Sequence, residues 1–139
     1  PRTYIATAQA WDDEMRRKIS DHQIQRGPDW TTIEAPMDIG PALQVDADQI
    51  VLLDCATLWL TNQIMANADI QAATNDFLAQ LSTCLAPVVV VSNEVGQGIT
   101  PDNAMARTFV KHQGRLNQAM AVQADHVVFV TAGIPQVLK

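Results

Sequence analysis

Apolar positions along this chain follow two rhythms. Short runs without alternation occur at Tyr4–Thr7 (YIAT), Gln49–Asp54 (QIVLLD), Val88–Val91 (VVVV) and His126–Val130 (HVVFV). Such runs predict strands buried on both faces, as in a parallel sheet covered by helices. Between them, apolar residues recur three or four apart. Trp11, Met15 and Ile19 mark a helix over Trp11–Gln25, with acids early and bases after them. Ala56–Ala66 reads as a helix. Asp69–Leu85 is a second, with Ile70, Ala73, Phe77, Leu81 and Cys84 on one face. Thr100 as cap and Pro101 at the first position predict a last helix to about Gln123, its face marked by Met105, Phe109, Leu116 and Met120. Arg26–Trp30 (RGPDW) is a turn, Thr31–Pro36 is β-like, and MDIGPAL offers one or two helical turns weakened by Gly40 and Pro41.

Strands alternating with helices predict one α/β domain over residues 1–139, with no repeat and no linker. In such sheets ligands gather at the carboxyl ends of the strands. The strand exits are therefore the places to seek function: Thr7-Ala8-Gln9, Asp54-Cys55, Ser92-Asn93-Glu94 and Thr131-Ala132-Gly133. Composition narrows the classes. With 139 residues, 47% of them hydrophobic, the chain can build a core. A net charge of -6 argues against a general nucleic-acid binder, while a small nucleotide site needs only a few local donors. No apolar run approaches the ~20 residues of a membrane helix. Cys55 and Cys84 form no CxxC pair and no Cys/His cluster. They argue against structural zinc and read as reduced core thiols of a cytoplasmic protein.

Several residues carry chemistry, each with a plainer alternative. Asp54 ends an apolar strand like a Walker-B carboxylate that serves Mg²⁺ beside phosphates, or it caps the next helix. Asn93, Glu94, Gly96 and Gly98 combine amide, carboxylate and permissive backbone at a strand exit, or they form a surface loop. His22, four residues before Arg26, is either a packed helix residue or a nucleophile toward phosphorus with Arg26 steadying phosphate charge. Glu34 is an exposed strand glutamate, or it accepts hydrogen bonds from guanine N1–H and the 2-amino group. Arg107, Lys111 and Arg115 form a basic stripe at helical spacing, facing phosphates, a subunit neighbour or solvent.

Taken together, YIATAQAWDDEMRRKISDHQ, the W-T-IEAP pattern, VLLDCATLWLTN, VVVVSNEVGQGITPDNAMARTF and GRLNQ resemble a known family, in its order and roughly its spacing. The resemblance covers almost the whole chain. The family is the bifunctional adenosylcobinamide kinase / adenosylcobinamide-phosphate guanylyltransferase of cobalamin biosynthesis. It implies a P-loop NTPase, RecA-like three-layer α/β fold with a mostly parallel sheet, and a homotrimer. It implies phosphorylation of adenosylcobinamide with ATP or GTP, then GMP transfer from GTP through a guanylylated histidine. It places that histidine at His22. Nucleotide contacts fall on Thr7, Ala8, Gln9, Gln23, Ile24, Gln25, Arg26, Glu34 and Asp54, with Asp54 on the Mg²⁺ side. Corrinoid or phosphate contacts are sought at Asn93, Glu94, Gly96, Gly98, Arg107 and Arg115.

One departure stands out. The family opens on a strand and a GGxxSGKS loop, which these residues do not contain. The expectation is an N-terminally incomplete domain, the ordered or cleaved part of a longer chain whose P-loop precedes Pro1. Two rival readings follow. One is a non-catalytic nucleotide-binding or assembly subunit of the same fold. The other is an unrelated α/β enzyme using Glu94 or Asp54 as general base.

Overall fold

Four parallel strands organise the first part of the chain: β1 (Arg2–Ala6), β2 (Trp30–Glu34), β3 (Ile50–Asp54) and β4 (Val88–Val91). They lie in the order β2-β1-β3-β4. Helix α1 (Asp13–Arg26) links β1 to β2, and a short 3-10 turn at Pro41–Leu43 precedes β3. Helices α2 (Ala56–Met65) and α3 (Ile70–Thr83) lead from β3 to β4. Helix α4 (Ala104–Gln123) and strands β5 (Val128–Thr131) and β6 (Ile134–Val137) follow. The computed structural model describes all of Pro1–Lys139, which divide into two compact units, Pro1–Asn93 and Glu94–Lys139.

In the first unit the core lies against one face of the sheet. Ile5, Val51 and Leu53 share that face at 0% exposure and Thr3 at 2%. Ile39, Leu43, Trp59, Leu60 and Phe77 complete the core. The Trp59 and Phe77 rings meet at 4.3 Å between centroids, and Trp59 Nε1 donates to Met37 O at 2.9 Å. A buried indole thus keeps its polar atom satisfied. Helix starts follow the side chains that can accept orphan amides. Asp12 accepts from Met15 N at 2.7 Å, and Asp69 accepts from Ala72 N at 3.1 Å.

Several sequence expectations change here. Val88–Val91 is not buried on both faces: β4 pairs with β3 alone, and its residues alternate between half-buried and exposed. Val89 and Val91, 55% and 39% exposed, lie on the face opposite the core. Trp11, Met15, Ile19 and His22 do not pack as a helix face, because α1 buries no residue and Trp11 precedes it at 69% exposure. Cys55 is buried, but Cys84 sits half-buried at the carboxyl cap of α3, outside the core; both are free thiols.

In the second unit the last helix starts later than Thr100–Pro101 predicts. Asn103 is its cap, accepting from Met105 N at 2.8 Å and Ala106 N at 3.1 Å. One amide oxygen serves two orphan donors, which outcompetes the threonine upstream. His126–Val130 does not supply a fourth strand of the parallel sheet. Its residues enter β5, which pairs only with β6, antiparallel, in a separate two-stranded ribbon. Thr131-Ala132-Gly133 is therefore not a parallel-strand exit. Ala132 (φ 52°) and Gly133 (φ 74°) form the two-residue hairpin turn closed by Thr131 and Ile134. The tail is tied back by Lys139 Nζ, which donates to Ala121 O and Val122 O at 3.0 and 3.1 Å.

Candidate active site at the carboxyl ends of the strands

Strand register sets the site. Ala6 stands opposite both Glu34 and Asp54, and Asp54 stands opposite Val91. The last residues of all four parallel strands therefore form one row. Glu34 and Asp54 flank β1 from either side, and the loop leaving Ala6 runs between them toward α1.

The floor of this row is built by Thr7. Its hydroxyl donates to Cys55 O at 2.7 Å and accepts from Cys55 N at 2.8 Å. Thr7 N donates to Asp54 O at 3.2 Å. Asn62 Nδ2, on α2, donates to Thr7 O at 2.8 Å and to Pro36 O at 3.0 Å. Thr7 is fully buried, so its side chain fixes the exits of β1 and β3 against each other. Thr57 Oγ1 accepts from Asn93 N at 2.9 Å, which holds the chain leaving β4 to the start of α2. Ala8 and Gln9 are half-buried beyond Thr7.

Charge enters through Asp54, Arg26 and Glu34. Asp54 is half-buried, and its Oδ2 accepts a short hydrogen bond from the Tyr4 hydroxyl. Burial, then this hydrogen bond, pushes the Tyr4 phenol well above the usual tyrosine range. Burial also pushes the Cys55 thiol up. Arg26 closes α1 and lies over the Tyr4 ring, its guanidinium carbon 3.4 Å from the centroid. Its Nη2 donates to Thr32 Oγ1 at 3.4 Å, while its Nε is buried without a partner. Glu34 is exposed at the end of β2.

His22, Gln23, Ile24 and Gln25 are exposed on α1, within the turn before Arg26. His22 and Arg26 are four residues apart in one helix, which places them on one side. In the second unit, Glu94 Oε1 accepts from Gly96 N at 2.7 Å, closing a small turn. Gly98 borders open space. Arg107, Lys111 and Arg115 are exposed along α4, and Arg107 Nη1 donates to Pro101 O at 2.9 Å.

The structure thus brings Thr7, Arg26, Glu34 and Asp54 to one part of the sheet. No group of three His, Cys, Asp or Glu side chains is placed to hold a metal. A lone carboxylate still suits Mg²⁺, which takes one or two carboxylates and completes its shell with phosphates and water. Two residues had no role in the sequence reading. Tyr4 lies inside an apolar strand, and its signal is a hydroxyl in a buried run. Asn62 carries an amide inside the apolar helix α2, and a buried amide there demands partners.

A parallel sheet with charged and polar side chains gathered at its carboxyl edge defines an α/β protein of the class whose ligands gather at that edge. The chain belongs to the cobinamide kinase / cobinamide phosphate guanyltransferase family, whose model matches residues 1–138. It is similar to the bifunctional adenosylcobalamin biosynthesis protein CobP of Pseudomonas aeruginosa, 39% identical, covering 99% of this chain and 82% of the relative. The CobU proteins of the same description from Salmonella typhimurium and Escherichia coli are 37% and 36% identical, each covering 98% of this chain and 84% of the relative. The family is one of transferases, and a mostly parallel four-stranded sheet with four helices is consistent with its P-loop NTPase-like fold. No helix is long and apolar enough to cross a membrane.

Proposed function

We propose that this protein phosphorylates adenosylcobinamide with ATP or GTP. It then transfers GMP from GTP to adenosylcobinamide phosphate, giving adenosyl-GDP-cobinamide and pyrophosphate. The observation that carries this reading is the family match across residues 1–138, and the row of strand exits supplies residues suited to the chemistry.

GMP transfer proceeds in two displacements. A neutral imidazole nitrogen of His22 attacks the α-phosphorus of GTP, the bond to the β-phosphate oxygen breaks, and pyrophosphate leaves. The phosphate oxygen of adenosylcobinamide phosphate then attacks the same phosphorus and releases the histidine. His22 suits this role by being exposed on α1. Glu34 accepts hydrogen bonds from guanine N1–H and the 2-amino group. Asp54 offers Oδ1 to Mg²⁺, directly or through water. When bound, Mg²⁺ neutralises phosphate charge. Arg26, one turn from His22, brings a guanidinium whose charge suits a phosphate.

The test is incubation of the full-length protein with α-³²P-GTP and Mg²⁺, followed by mapping of acid-labile label. Label on the peptide containing His22, absent in His22→Ala, is expected, with phosphorylation of adenosylcobinamide partly retained in the variant. Equal loss of both activities in His22→Ala assigns His22 a structural role. No label from an enzyme that binds GTP replaces the reading with a kinase-only or binding-only protein.

A further inference from the structure

The contact the proposed chemistry does not use is the one made by Tyr4. It is 7% exposed, and its hydroxyl and ring face are both engaged by charged side chains. The hydroxyl donates to Asp54 Oδ2, and the ring carries the Arg26 guanidinium at 3.4 Å. Trp30 meets the same ring edge-on at 6.3 Å. Register explains the convergence: Tyr4 is paired with Thr32, to which Arg26 donates, and lies two residues before Ala6, the partner of Asp54. All three side chains therefore share one sheet face.

An arginine and a carboxylate this close to a common neighbour ordinarily pair, often through two parallel hydrogen bonds. Here they do not. The ion pairs of the molecule are Arg16–Asp13 and Lys18–Glu14, both on α1. We infer that Tyr4 is a positioning residue: its phenol stands between Arg26 and Asp54, fixes one carboxylate oxygen, and keeps the two opposite charges from neutralising each other. Asp54 Oδ1 then remains for a cation, and the half-buried Arg26 keeps its positive charge for a phosphate. This inference rests on the nucleotide reading above, but concerns how the site is kept charged rather than what reacts in it.

Binding of fluorescent N-methylanthraniloyl-GDP to the full-length protein, with Mg²⁺ and with EDTA, tests it. Tyr4→Phe keeps the ring under Arg26 and removes only the hydroxyl. The Mg²⁺-dependent gain in affinity is expected to fall about 3–10-fold, the scale of one net hydrogen bond. Affinity in EDTA stays within about twofold. Tyr4→Leu removes both contacts and lowers affinity in both media. Tyr4 is the single tyrosine of these 139 residues, so its ¹³Cζ resonance, identified by its loss in Tyr4→Phe, is expected to move in Asp54→Asn without any ligand. A resonance unmoved by Asp54→Asn overturns the inference. So does a Tyr4→Phe protein that binds as the wild type does, or that is weakened equally with and without Mg²⁺. Wild-type protein that does not bind the probe overturns the nucleotide reading, and this inference with it, whereas the other failures leave that reading standing.

Discussion

In the proposed guanylyl transfer, Glu34 is the residue whose place would decide between nucleotides. It ends β2 in register with Ala6, exposed, across β1 from Asp54. A carboxylate accepts from both N1–H and the 2-amino group of guanine, and adenine offers no such pair. Glu34→Gln loses the charge and places a donor against a donor. The expected result is GTP binding weakened by about 10-fold or more relative to ATP, the scale of hydrogen bonds to a charged group, measured by competition in the full-length protein. An unchanged ratio removes Glu34 from guanine recognition. At this scale the sequence was informative where a side chain's chemistry was unusual for its setting, as with Asp54 ending an apolar strand. It was silent on Tyr4 and on the buried bonds of Thr7, because those depend on partners 48 or 50 residues away.

Elements were legible where local signals agreed. The three helices of the first unit and its four strands lie close to the segments marked by apolar spacing. The failures share a cause. A run of valines has the same appearance whether a strand has two neighbours or one, so it predicts burial on both faces although β4 pairs with β3 alone. HVVFV was likewise assigned to the sheet, although a two-residue turn with positive φ at both positions folds it onto β6. The start of α4 was misplaced because Thr100–Pro101 and Asn103 are both valid start signals. The double acceptance by Asn103 decides it. Asn103→Ala is expected to destabilise α4 by about 1 kcal/mol, read as a lower midpoint in urea unfolding followed by circular dichroism. Thr100→Ala is expected to stay within about 0.5 kcal/mol. Equal effects from the two would restore Thr100 as cap.

Stability is unevenly spread over the whole molecule, and proteolysis can read that distribution. The buried apolar residues lie in Pro1–Asn93 with one exception, Leu116. The segment from Glu94 to Asn103 joins β4 to α4 without regular structure, and most of it is exposed. Protease attack requires a stretch of chain to leave its packed conformation, and such openings cost least where little apolar surface is buried. The three glutamates of the sequence are Glu14, Glu34 and Glu94. Glu34 ends a strand held in the sheet, Glu14 is inside α1 and paired with Lys18, and Glu94 lies in the open segment. A glutamate-specific protease is therefore expected to cut first after Glu94, before any cut after Glu34, as followed by intact mass. The released 95–139 fragment should lose most of its helical circular dichroism, because a helix and a two-stranded ribbon with so little buried apolar surface do not hold a fold alone. First cleavage after Glu34 would instead place the weakest point in the sheet. A fragment that stays helical when isolated would mean that α4 draws its stability from its own caps and spacing.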